Sequence, residues 1–107
     1  NKGLMRVLIL ALLFSVFSYG QDITTIHFNY KWNTTNAYED LDRLKHTKVQ
    51  YAFVEDQGDV LKRSIKSVPT IVIYKGQTPV AKFEAGLSME ILVRLDSIQA
   101  VINKYKD

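Results

Sequence analysis

Few residues in this chain are able to do chemistry, and none of them is a cysteine. The polar segment 32–36 (WNTTN) directly follows a β-rich stretch, and His27 and His46 are the only histidines. Thiol–disulfide exchange needs a thiolate that attacks a disulfide sulfur, so a chain without cysteine cannot perform it. Whatever segment 32–36 does must therefore rest on amide, hydroxyl and indole groups.

Segment 32–36 allows several interpretations from its residue types alone. Asparagine and threonine at the start of a helix satisfy free backbone N–H groups, and Asn33 is a plausible N-cap. The same helix start, with its dipole and exposed amides, would also favour an anion or a peptide carboxylate. Residues 33–35 (NTT) match the acceptor pattern for N-glycosylation as well. Helix capping is the simplest of these interpretations.

Other catalytic and metal-binding patterns are absent from the sequence. Two histidines without cysteine, and carboxylates without ligand spacing, give no metal site. Nucleophile-elbow, phosphate-loop and dinucleotide motifs do not occur. We therefore expect no cofactor, no metal and no enzyme activity. His27 is expected to be a partly buried strand residue, and His46 a cation near a helix C-terminus.

The composition describes one globular domain preceded by an apolar segment. The chain has 107 residues with 47% hydrophobic and 23% charged residues, which excludes a disordered protein. The apolar run 7–17 follows Lys2 and Arg6 and precedes the small residues of segment 18–20. This order predicts an export signal over residues 1–20 and a mature domain over residues 21–107.

The alternative is that residues 1–20 are retained as a membrane anchor or packed segment. The apolar run is shorter than the roughly 20 residues that span a bilayer, which favours cleavage near Gly20. A cleaved chain would be periplasmic or secreted, and an uncleaved one anchored to a membrane or an assembly. Removal of Lys2 and Arg6 would lower the formal net charge from +3 by two, to +1. No basic cluster then remains to indicate nucleic acid.

The periodicity of the remaining chain predicts alternating strands and helices. Residues Ile26, Phe28 and Tyr30 share one face of the first strand, and TIVIY (70–74) is typical of a central strand. The predicted elements are strand 25–30, helix 34–46, strand 49–54, a short helix capped by Asp59, strand 70–74, strand 80–83 and a long helix capped by Ser88.

This order is β-α-β-α-β-β-α. Two βα units predict parallel strands joined by right-handed crossovers, followed by an antiparallel hairpin and a closing helix. The first helix should turn Ala37, Tyr38, Leu41 and Leu44 toward the core. The long helix should present one apolar stripe, formed by Ile91, Leu95, Ile98, Ile102 and Tyr105. The predicted fold class is α/β, a four-stranded mixed sheet with helices on both faces.

Two segments of the sequence resemble thioredoxins. Residues 64–76 (SIKSVPTIVIYKG) are similar to the family's segment around its cis-proline, and residues 82–88 to its last strand, glycine turn and helix cap. The resemblance covers residues 23–105 and lacks the N-terminal strand and helix of full-length thioredoxins. It implies a thioredoxin-like fold with a cis Val68–Pro69 bond. Spacing alone equally allows a trans proline that ends the preceding helix.

The resemblance breaks at the place where thioredoxins carry Trp-Cys-x-x-Cys. Trp32 and the spacing remain here, but Asn33 and Asn36 stand at the cysteine positions. His27 stands where the family has a buried acid on the preceding strand. The resemblance therefore implies a redox-inactive member of the thioredoxin-like superfamily.

A binding role needs no cysteine. In redox-active relatives the loop before the cis-proline pairs its backbone with an extended peptide, a form of β-augmentation. The partner would be a protein or extended peptide, with a membrane involved only if residues 1–20 are retained. Two alternatives stay open: Trp32 simply packs on the sheet edge, or the chain is a structural or assembly subunit held by its N-terminal segment. The expected binding surface consists of Trp32, Asn33, Thr34, Thr35, Asn36, Ser67, Val68 and Pro69.

Overall fold

The computed structural model describes residues 22–106, so the predicted signal or anchor over residues 1–20 lies outside the described residues. No helix within residues 22–106 is long and apolar enough to cross a membrane. The strands are β1 (Ile23–Asn29), β2 (Lys48–Phe53), β3 (Thr70–Lys75) and β4 (Thr78–Glu84). The α-helices are α1 (Asp59–Ser64) and α2 (Leu95–Tyr105), and short 3-10 helices cover Lys31–Asn36, Leu41–Arg43 and Val54–Asp56.

The four strands form one mixed sheet in the order β2-β1-β3-β4. β1 runs parallel to β2, as predicted, and β3 and β4 form the predicted antiparallel hairpin. β3 runs antiparallel to β1, so the expectation of a second parallel unit is wrong. Helix α1 has six residues and rises about 9 Å, whereas a six-residue strand spans about 20 Å. The helix therefore does not carry the chain back along the sheet, and β3 starts beside the end of β1, where Thr70 pairs with Phe28.

The core has two parts, one on each face of the sheet. One face packs against α2 and holds Leu41, Ile71, Ile73, Ile98 and Ile102. The other face packs against α1 and holds Phe28, Val54, Val68 and Val72, with Ile26, Tyr30, Leu61 and Ile65 beside them. The mixed sheet with helices on both faces is therefore confirmed, as is the shared face of Ile26, Phe28 and Tyr30. All of segment 70–73 is buried, as a central strand requires.

The predicted helix over residues 34–46 does not form. The chain there makes the two 3-10 helices, and Asp40 and His46 both have a φ of 68°, in the left-handed region that an α-helix cannot contain. Asparagine, threonine and aspartate favour such local structure because their side chains compete for backbone hydrogen bonds. Leu41 and Leu44 are nevertheless buried, so their predicted inward face is correct. His46 is exposed in a bend and does not end a helix.

The predicted helix starts are also corrected. α2 begins at Leu95, and Met89, with a φ of 62°, interrupts the segment that follows Ser88. Ser88 Oγ accepts the Glu90 N–H at 3.3 Å, while Ile91 is buried without being helical. Asp59 lies in the first turn of α1 and makes no capping hydrogen bond. Apolar spacing predicted which residues are buried here but not where the helices begin.

Candidate functional site

The site lies where β1 ends and the chain turns into the 3-10 helix Lys31–Asn36. The Asn33 N–H donates to the Tyr30 carbonyl oxygen at 3.0 Å, and the Ala37 N–H donates to that of Thr34 at 3.1 Å. Asn33 itself departs from helical geometry (φ −108°, ψ 19°), which kinks the segment. The N-cap position falls on Tyr30, so the predicted capping by Asn33 is wrong. The suggested anion site also loses its basis, because no α-helix begins here.

Asn33 lies at the centre of a buried amide network. Its side chain is 2% exposed, and its Nδ2 donates to Asn29 Oδ1 at 3.0 Å. Its Oδ1 accepts a hydrogen bond from Asn36 Nδ2 at 2.8 Å. Asn29 Nδ2 donates in turn to the Asn33 carbonyl oxygen at 3.0 Å, and Asn29 Oδ1 accepts the Tyr30 N–H. The two positions that resemble the cysteines are therefore joined by a hydrogen bond.

Burial of Asn33 removes one of the sequence interpretations. A glycan on Asn33 Nδ2 is incompatible with this fold, because the residue is 2% exposed and its Nδ2 donates to Asn29 Oδ1. Asn29 was not predicted, although the sequence carried a signal for it. Thr25, His27 and Asn29 alternate with apolar residues along β1, and all three are buried. A polar residue on a buried strand face needs hydrogen-bond partners, so it points to a network nearby.

The loop before β3 approaches this network from the other side. The Val68–Pro69 peptide bond is cis, and both residues are buried. Asn33 Nδ2 lies 3.4 Å from the Val68 carbonyl oxygen, which links the network to the loop. Thr70 Oγ1 donates to the Ser67 carbonyl oxygen at 2.6 Å. The Ala85 N–H donates to the Pro69 carbonyl oxygen at 3.1 Å, which ties the loop to the end of β4.

An open groove of about 340 Å³ runs between this loop and Trp32. Trp32 is 63% exposed and stacks on Tyr30, with ring centroids 5.8 Å apart and planes 12° apart. Leu87, which is fully exposed, and Met89 line the groove together with Val68. The groove is thus mostly apolar, and we call it the Trp32 groove. Its apolar lining consists of Tyr30, Trp32, Ile65, Val68, Leu87 and Met89.

The structure brings only part of the predicted surface together. Trp32, Ser67 and Val68 line the Trp32 groove. Thr34 instead lines a separate hollow beside β2, and the exposed Thr35 and half-buried Asn36 line neither. Asn33 and Pro69 are buried and do not line the groove. Sequence reasoning missed Leu87 and Met89, because Leu87 was placed in the turn before the expected helix cap Ser88 and Met89 at the start of a helix that begins only at Leu95.

His27 is buried on β1, two residues before Asn29 of the amide network. Its Nε2 accepts the Tyr38 N–H at 2.9 Å, and its ring centroid lies 5.2 Å from that of Tyr51. Burial lowers the pKa of His27 through desolvation of the charged form, outweighing a backbone hydrogen bond that raises it. The accepted hydrogen bond requires an unprotonated Nε2, so the side chain is neutral here. His27 is buried in a strand as predicted, and more fully than expected.

No group of three or more histidine, aspartate or glutamate side chains within residues 22–106 could hold a metal ion. The arrangement around Trp32 therefore offers an apolar groove, backbone hydrogen-bonding groups and a rigid amide network. These features suit the binding of another chain, and they include no nucleophile with an adjacent base.

Comparison with solved structures identifies the fold. A thioredoxin variant from Halobacterium salinarum superimposes with a TM-score of 0.61 at 17% identity, covering 81% of this chain and 77% of that one. The Schistosoma mansoni thioredoxin gives 0.58 at 15% identity, covering 87% and 86%, and the Fasciola hepatica thioredoxin gives 0.58 at 15%, covering 91% and 94%. No family model and no curated protein matches the sequence. The chain therefore has a thioredoxin fold, and it contains no cysteine.

Proposed function

We propose that this protein is an exported, redox-inactive thioredoxin-fold domain that binds an extended segment of another protein along the Trp32 groove. The observation that carries the proposal is the exposure of Trp32 and Leu87, two large apolar side chains that line the same groove as Val68. Large apolar side chains exposed around a concave surface are typical of interaction sites. Peptide binding requires no thiol, so this function is compatible with a chain that contains no cysteine.

The Val68 backbone supports pairing with an extended chain. Its carbonyl oxygen lies 3.4 Å from the Asn33 amide, while its N–H has no hydrogen-bond acceptor among residues 22–106. A peptide laid along the loop would supply a carbonyl oxygen to this N–H, as in β-augmentation. The buried Asn33 network would hold the loop in place and lower the entropic cost of binding.

Trp32 supplies the anchor for a side chain of the bound segment. Its ring is already positioned by stacking on Tyr30, so little rotamer freedom remains to be lost. Leu87 and Met89 line the same groove and would add apolar contacts to the bound side chain. Tryptophan is among the residues that contribute most to binding energy at protein interfaces. The proposed ligand is therefore an extended peptide with a large apolar residue.

The test uses an unfolded chain with blocked thiols, S-carboxymethylated insulin B chain, titrated into the protein with Trp32 fluorescence and calorimetry as readouts. Trp32→Ala should weaken binding by about tenfold, the usual effect of losing an interface tryptophan. The affinity of this variant is measured by calorimetry, because it has lost the fluorescent side chain. Leu87→Ser should also weaken it, whereas Val60→Ser, an exposed apolar residue on α1 outside the groove, should not. Equal affinity for all three variants and the wild type would remove the groove as the binding site.

Export belongs to the same proposal and rests on the sequence of residues 1–20. Mass spectrometry of the protein from its native host should find a mature chain that begins at Gln21. A chain that retains the apolar run 7–17 would instead support the alternative, a structural or assembly subunit held by that segment. This result is independent of the groove, so the two parts of the proposal can fail separately.

A further inference from the structure

The outer edge of β2 is unpaired among residues 22–106. β2 pairs with β1 alone and lies at the end of the strand order. Its six residues, KVQYAF, include no proline or glycine that would prevent further pairing. Free N–H and C=O groups along such an edge are a template for another strand. Tyr51 and Phe53 also expose 56% and 37% of their surface here.

We propose that this edge pairs with the β2 strand of a second copy of the chain, in antiparallel orientation and centred on Tyr51. Side chains alternate between the two faces of a strand, so residues directly opposite in one continuous sheet must share a face. Val49, Tyr51 and Phe53 share the face of their β1 neighbours Thr25, His27 and Asn29. Centring on Tyr51 places Tyr51 opposite its own copy and Phe53 opposite Val49.

This register matches side chains that stabilise sheets. Aromatic pairs and aromatic–β-branched pairs across neighbouring strands each contribute roughly 0.2–1 kcal/mol relative to alanine pairs. The aromatic rings have room to pack, because a hollow of about 150 Å³ opens beside Tyr51 and Phe53. Pairing centred on Gln50 would instead oppose two amides and leave Phe53 opposite Thr47. The side-chain pattern therefore favours the Tyr51-centred register.

Charge favours the antiparallel orientation. Lys48 is the first residue of β2 and Lys45 lies three residues before it, while Glu55 and Asp56 come two and three residues after its last residue, Phe53. Antiparallel pairing of two copies brings the basic end of each strand to the acidic end of the other. Parallel pairing would place like charges side by side. The edge is thus complementary to itself only in the antiparallel direction.

The proposed pairing and the Trp32 groove involve different residues, because no residue of β2 lines the groove. This inference therefore stands apart from the proposed peptide binding. A contact between two six-residue strands is smaller than the roughly 1,200–2,000 Å² of a standard stable interface. We therefore expect a weak dimer that forms at protein concentrations of tens to hundreds of micromolar.

The cysteine-free chain allows a direct test by single-cysteine crosslinking. In the proposed register the two copies of position 51 face each other with Cα atoms about 4.5–5.5 Å apart, within disulfide range. The two copies of position 53 are displaced by four residues along the strands, about 13 Å, and cannot be bridged. At 200 µM protein (a concentration in the proposed range), oxidised Tyr51→Cys should form a covalent dimer at least tenfold faster than Phe53→Cys.

A second measurement uses charge repulsion in the full chain. Tyr51→Lys places like charges opposite each other across the two-fold axis, which destabilises the pair. Analytical ultracentrifugation should show a dimer for the wild type and for Leu92→Lys, an exposed site outside β2, and a monomer for Tyr51→Lys. A wild-type monomer at 500 µM, or equal crosslinking at positions 51 and 53, would overturn the proposal.

Discussion

Replacing Asn33 with alanine should destabilise the domain more than any other change in segment 32–36. The side chain donates to Asn29 Oδ1 at 3.0 Å, accepts from Asn36 Nδ2 at 2.8 Å and lies 3.4 Å from the Val68 carbonyl oxygen. Each net hydrogen bond contributes about 0.5–1.5 kcal/mol, so the two short ones give about 1–3 kcal/mol. The void left at a site that is 2% exposed adds to this. We expect a total loss of about 2–4 kcal/mol.

Equilibrium unfolding in urea, followed by far-ultraviolet circular dichroism, measures this loss. The m-value should stay unchanged, because the folded and unfolded surfaces are nearly the same. Thr35→Ala, at an exposed position in the same segment, is the matched control and should change the free energy of unfolding by less than about 0.5 kcal/mol. A double-mutant cycle of Asn29→Ala with Asn33→Ala should show coupling. A loss below about 0.5 kcal/mol for Asn33→Ala would refute the network as a stabilising element.

Three further outcomes are expected. The wild-type chain should give no insulin reduction above background in a preparation free of host thioredoxin, because it carries no thiol. The double variant Asn33→Cys with Asn36→Cys should lose its free thiols on mild oxidation, because the native side chains are in contact, with Asn36 Nδ2 2.8 Å from Asn33 Oδ1. Two thiols that stay titratable would show that these side chains do not meet in solution. Burial lowers the pKa of His27 below its usual 6.5, so the unfolded chain binds the proton more readily. The stability present above pH 6.5 should therefore fall as the pH drops from 6.5 toward the folded-state pKa, by at most about 1.4 kcal/mol per pH unit. His27→Gln should flatten this dependence, and an unchanged slope in that variant would contradict the assignment to His27.

The sheet was predictable because its strands carry strong local signals. The β-branched run 70–74 gave the central strand, and the alternation around Phe28 gave the correct inward face. The direction of β3 was not predictable from a βα count, because such a count assumes a helix that crosses the sheet, whereas α1 has only six residues and β3 starts beside the end of β1. The helix over residues 34–46 failed for a related reason. Its apolar spacing was helical, but the turns at Asp40 and His46 are set by local backbone preferences that periodicity does not register.

Only some residues of the predicted binding surface lie together in the structure. Trp32, Ser67 and Val68 line the same groove, and their binding of a partner stays a prediction. Asn33 does not line the groove, because its side-chain amide is buried and forms hydrogen bonds with Asn29 and Asn36. A hydrogen-bond network of this kind depends on three-dimensional placement, which residue types alone do not specify. Leu87 was not predicted to belong to the site. The sequence suggested a regular helix after Ser88, whereas the segment before α2 is irregular and leaves Leu87 exposed.

Amide hydrogen exchange at Val68, followed by NMR during titration with S-carboxymethylated insulin B chain, tests the central claim most directly. Val68 N–H has no acceptor among residues 22–106, and the account predicts that the bound peptide supplies one. Exchange at Val68 should slow at least tenfold on saturation, and the Trp32 indole resonance should shift with it. Binding that leaves Val68 exchange unchanged, with protection appearing elsewhere on the chain, would contradict peptide pairing at this loop.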